Sequence, residues 1–115
     1  MSPKNTGMIL GLLIAVAAGA QMIPSTAQFM QAMNASMKHM DREMAAAPMS
    51  GAIDHDFATM MIPHHQGAID MAKAELSYGK DPVIRRLAQE IIVDQKSEID
   101  AMQLWLAKNS AARRK

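Results

Sequence analysis

The run Met60-Met61-Ile62-Pro63-His64-His65 places two thioethers and two imidazoles within six residues. Thioether sulfur and neutral imidazole nitrogen are ligands for soft ions, so this pairing suits Cu(I) or Ag(I) better than Mg²⁺ or Ca²⁺. On a helix, Met60 lies four residues before His64, and Met61 lies four before His65 and three before His64. Asp56, Met60, His64 and Met71 define one stripe, which Met61 and His65 join through a kink or a second helix. Met60, Met61 and His64 form the first ligand set. His65 completes it, binds through another helix, or stands behind a ligand. Asp56 or Asp70 can orient an imidazole by accepting its second N–H. Cu(II) is a further cofactor expectation, held through the histidines.

Ten of the thirteen methionines lie between Met30 and Met102. Met30, Met33, Met37, Met40 and Met44 recur at intervals of 3, 4, 3 and 4, a single helical stripe. His39 borders that stripe, so Met37, His39, Met40 and Met44 can build a second or shared site. His55, between Asp54 and Asp56, reads more simply as a solvated terminal residue, and Met22 and Met49 lie near ends or turns. Packing is the competing reading, because methionine fills irregular helix interfaces and a lone stripe of it is more often core than ligand set. The same side chains can also form an adaptable groove for a protein partner.

Three helices must carry these residues. The first runs from Gln28 to Ala47, with Ser25 as an earlier start, and Pro48 to Gly51 break it. Asp54 is the expected cap of the second, which runs to Tyr78 and stops at Gly79. Pro63 lies inside that helix and predicts a kink or restart beside the histidines. Asp81 and Pro82 suit the N-cap and first position of the third helix, which extends to about Lys108, with Asn109 to Lys115 frayed. Ile84, Leu87, Ile91, Ile99, Met102 and Leu106 supply its apolar face. Short turns between three helices predict an all-α, small antiparallel helical bundle.

Ahead of these helices, Lys4 precedes an uncharged run from Met8 to Ala20, the pattern of a secretory signal. Cleavage after Ala20 leaves 21–115 as one domain; Ser25-Thr26-Ala27 offers a second cleavage site. The apolar stretch to Ile23, sixteen residues long with Gln21 inside it, is short for a membrane anchor, which needs about twenty. The expected location is periplasmic or otherwise extracytoplasmic, with an N-terminal anchor as the alternative. Lys4 is the one charged residue of the first twenty, so 21–115 holds eleven basic (12 − 1) and eleven acidic residues. That balance lacks the basic footprint of a nucleic-acid binder. With no cysteine, a disulfide scaffold and a thiolate site are both excluded.

Phe57, Met60-Met61-Ile62-Pro63-His64-His65-Gln66-Gly67-Ala68 and Met71-Ala72 resemble the DUF305 family. The resemblance continues through Leu87-Ala88, Ile91-Ile92, Gln95, Glu98-Ile99, Met102 and Trp105. It implies a compact ferritin-like bundle, and some members are similar to periplasmic copper- or silver-binding proteins. It also implies Met60, Met61, His64, His65 and Met71 on the motif-bearing helix and Met102 on the closing helix. The first-helix methionines resemble, in composition, the methionine-rich extensions of copper-handling relatives. No pair of Glu-x-x-His motifs is present to build a di-iron centre. The expectation is a non-enzymatic protein that sequesters Cu(I) or Ag(I), or passes it to a copper efflux or resistance protein, with a homo-oligomer as a further partner expectation. A partner-binding helical module and a metal-dependent enzyme are the alternatives.

Overall fold

The computed structural model describes residues 26–112 as three α-helices: α1 (Thr26–Ala45), α2 (Ile53–Tyr78) and α3 (Pro82–Ala112). The signal segment to Ala20, the cleavage site after it and Ser25 lie outside the described residues, whereas Thr26 and Ala27 of the second cleavage site belong to α1. Within these residues the chain is all-α, a small three-helix bundle.

Each boundary has a local cause. α1 ends at Ala45, two residues before the expected point, and Gly51 turns the connection with φ +83, where a Cβ would be strained. The cap of α2 is not Asp54. The helix begins after Ala52, which makes no side-chain cap bond. Asp56 instead reaches back from the first turn and accepts from Ser50 N (2.7 Å), Ser50 Oγ (3.0 Å) and Gly51 N (2.9 Å). Its carboxylate thus binds the loop's free donors, and its charge complements the helix N-terminus. The Ser50 backbone N–H, then the His55 ring, hold the Asp56 carboxyl down at about 2. α2 runs unbroken through Pro63, with no restart at the histidines. Asp81 caps α3 as expected, accepting from Val83 N (2.9 Å) and Ile84 N (3.0 Å). Arg85 fastens this turn by donating from Nη1 to the carbonyls of Leu76 (2.6 Å) and Gly79 (3.0 Å). α3 continues regularly past Asn109 to Ala112.

α1 and α3 each pack on α2 and not on each other. Gly67 of α2 takes the α1 contact: a Cβ there would lie 2.6 Å from Met40 Sδ and 2.9 Å from Met40 Cβ. His65 takes the α3 contact, through Glu98. Two residues on a helix are about 200° apart, so α1 and α3 sit on opposite flanks of α2 and the helices form an open layer. Both pairs are antiparallel. Phe29 near the start of α1 meets Tyr78 at the end of α2, edge to face at 6.4 Å.

The core is correspondingly thin. Its buried apolar residues are Ala58, Ile69, Ala72, Ala74, Ala88 and Ile99, and no large side chain among the described residues is fully enclosed. Small residues allow close helix approach, but they remove little apolar surface from water.

Candidate metal centre

His65 is the imidazole that α2 turns inward. Its Nε2 lies 2.6 Å from Glu98 Oε2, and its side chain is 16% exposed against 58% for Glu98. An ionised carboxylate only accepts, so the Glu98 contact places the ring proton on Nε2. Nδ1 is then a buried atom without a hydrogen-bond partner. In the neutral ring it presents a lone pair. Buried polar atoms are nearly always partnered, and a carboxylate on one ring nitrogen with a cation on the other is how metal-binding histidines are held. Nδ1 therefore has the chemistry of a ligand.

The helix register brings two thioethers to the same place. With His65 opposite Glu98, Met61 one turn before His65 is level with Met102 one turn after Glu98. Helical side chains lean toward their own N-terminus. His65 thus leans toward the level of Met61, and Met102, on the antiparallel helix, leans toward the level of His65. Met61 and Met102 are both half-buried. By this register Met61 and Met102 lie at one level of the α2/α3 seam, one turn along from the His65–Glu98 contact.

The other sequence candidates fall elsewhere. Met40 packs on Gly67, and the same register sets Met44 level with Pro63, one turn from Met60. Met40, Met44 and Met60 are half-buried along the α1/α2 seam, while Met37 is exposed. Met71 lines an apolar groove with Met33. His64 is exposed, its ring 5.9 Å from that of His65 and tilted by 59°. Phe57, His64 and Met71 are spaced by seven and share one face of the layer. The opposite face holds a cleft of about 340 Å³ lined by His39, Met40, Glu43, Pro63 and Gln66. The structure thus brings His39 beside Met40 but leaves it across the layer from His64. His55 donates from Nδ1 to Asp56 Oδ1 (3.0 Å), within the loop cap.

Glu98 is the partner of His65 that the linear motif does not indicate. Asp56 and Asp70 are the expected orienters, yet Asp56 is committed to Ser50 and Gly51, and Asp70 accepts from Gln66 Nε2 at 3.1 Å. Among the described residues no three or more His, Cys, Asp or Glu side chains are grouped to hold an ion.

A family model described as "Domain of unknown function (DUF305)" matches residues 4–106. The chain belongs to the DUF305 family. An uncharacterized protein of Acanthamoeba polyphaga mimivirus is 45% identical over 49 residues, which is 43% of this chain and 32% of the relative. This DUF305 chain matches about a third of that relative's length. No helix among its described residues is long and apolar enough to cross a membrane.

Proposed function

We propose that this DUF305 protein binds Cu(I) or Ag(I) outside the cytoplasm and sequesters the ion or passes it to an efflux or resistance partner. The observation that carries the reading is the buried, unpartnered Nδ1 of His65 behind a Glu98-anchored Nε2. Met61 and Met102 supply neutral sulfur on either side of it, and a soft monovalent ion prefers such donors. Glu98 fixes the ring and places one negative charge against the ion's positive charge. The role is binding and transfer, with no catalytic step.

The α1 methionines extend this reading. Met40, Met44 and Met60, half-buried along the α1/α2 seam, supply a second thioether group. Exchange between thioethers requires no proton movement, which suits handover. A ferritin-like arrangement belongs to the same proposal, supported by the antiparallel α2/α3 pair with its ligands facing inward.

The test is anaerobic competition for Cu(I) against a chromogenic chelator, comparing the native chain with Met61→Leu, Met102→Leu and His65→Phe. Loss of the tightest site in each variant, with helicity unchanged, supports the seam. Native affinity in all three would overturn it.

A further inference from the structure

Among the described residues, the face of the layer that carries His64 is uncovered and largely apolar, with Asp54 and Glu75 at its pockets. At one end Phe57 is 63% exposed beside Trp105 at 38%. These two border a pocket of about 360 Å³ with Ala58 and Met102. At the other end lies a groove of about 320 Å³ lined by Phe29, Met33, Met71, Ile84, Leu87 and Ile91. Ile84 and Leu87 on its rim are 48% and 49% exposed. Met30 and Met37 edge the same face from α1, at 48% and 38%.

We propose that this face is a two-fold interface, and that its occupant is a second copy of the chain. The first argument is self-complementarity. Phe57 and Met71 each lie seven residues, two helical turns, from His64 on the same stripe. A two-fold axis across α2 at His64 therefore sets the projecting Phe57 of one copy over the Met71 groove of the other, and the reverse. The same operation carries Trp105, about two turns beyond Glu98, to the level just beyond Ile91 on the partner copy's α3. An isologous contact requires such a projection and its receptor at equal distances on either side of one axis.

Area is the second argument. The exposed parts of Met30, Met37, Phe57, Ile84, Leu87 and Trp105 amount to on the order of 500–600 Å² of apolar surface, against about 800 Å² given up by each partner in a standard interface. A patch of this size lies at the upper end of what a monomer ordinarily exposes, where such patches are often functional. The neighbouring backbone and the half-buried methionines make up the remainder. A second copy would also give the protein the enclosed core that its alanine-rich interior lacks. Exposed apolar residues occur elsewhere, at Met49, Ile53 and Val83 near the turns and at Val93 and Leu104 on the outer side of α3.

Pairing on the axis brings the two His64 rings together, so an exposed residue in one copy becomes half of a two-imidazole group in the dimer. The interface does not depend on metal, and its failure leaves the His65 seam untouched.

Sedimentation equilibrium of the full chain at about 100 µM, well above the micromolar range where interfaces of this size associate, tests the proposal. The native chain and Val93→Glu should both be dimers. Leu87→Glu and Phe57→Ser should be monomers with native helicity by circular dichroism. Because the chain has no cysteine, a His64→Cys variant carries a single thiol, and a short bismaleimide should join two copies through it. A monomeric native chain overturns the proposal. So does association that survives Phe57→Ser, which would place the contact elsewhere, including the apolar 8–23 segment.

Discussion

Replacing Gly67 with alanine tests whether α1 sits where its methionines can serve the site. On an open helix surface this change is favourable, since alanine exceeds glycine in helix propensity by about 1 kcal/mol. Here the new Cβ would meet Met40 Sδ at 2.6 Å, Cγ at 2.8 Å and Cβ at 2.9 Å. The sulfur can swing away at small cost, but the Met40 Cβ is fixed to the α1 backbone, so the helices must separate by several tenths of an ångström. Overpacking of this kind costs about 1–3 kcal/mol. The difference leaves Gly67→Ala destabilised by roughly 0–2 kcal/mol. For a domain of this size that is a fall in Tm of up to about 10 °C. The sharper reading comes from a cycle with Met40→Gly, which removes all three clashing atoms. In the Met40→Gly background Gly67→Ala should stabilise by about 1 kcal/mol, giving a coupling of about 1–3 kcal/mol. Urea unfolding followed by circular dichroism measures all four proteins. Stabilisation of the native chain by Gly67→Ala, with no coupling to Met40, would refute the close α1/α2 approach and with it the second thioether group.

Three further outcomes follow from the same geometry. Asp56 has a carboxyl held below its ordinary value, near 2. Its contribution to stability is therefore complete above about pH 4 and is lost as the pH falls through about 2. Asp56→Asn should flatten the acid limb of the stability curve in that window, and an unchanged limb would contradict the loop cap. Asp81→Ala removes acceptors for Val83 N and Ile84 N. It should cost about 1 kcal/mol in urea unfolding. Glu98→Gln keeps a hydrogen-bond acceptor for His65 but removes the charge, and it should weaken Cu(I) binding by about 10–100-fold with stability little changed. Unchanged affinity would remove Glu98 from the site.

The local signals in the chain translated well into structure. The 3-4-3-4 spacing of Met30 to Met44 specifies α1, and Asp81-Pro82 marks the start of α3 to the residue. Asp54 and Asp56 both suit a helix start, and only the path of the Ser50–Gly51 loop decides that Asp56 receives its donors. Pro63 predicts a kink or a restart in α2, and the helix continues through it without a restart, flanked by packing on α1 and α3. Glu98 was the harder omission, as its partner is 33 residues away. The tight turn at Gly79 to Pro82 contained the missing information. Folding α3 back from that turn pairs residues whose numbers sum to about 163, which matches His65 to Glu98 and Met61 to Met102. The open layer was not legible, because an apolar stripe read from sequence gives the face that needs covering and not whether the chain itself covers it. Ile84 and Leu87 belong to the expected apolar face of α3, yet each stays half exposed.

The central claim is that His65 Nδ1, Met61 Sδ and Met102 Sδ take one soft ion between them. X-ray absorption of the protein loaded anaerobically with one equivalent of Cu(I) counts those ligands directly. The expected spectrum has two sulfur scatterers and one nitrogen scatterer, and His65→Phe should lose the nitrogen. A spectrum of nitrogen and oxygen alone, or one that His65→Phe leaves unchanged, would contradict the assignment.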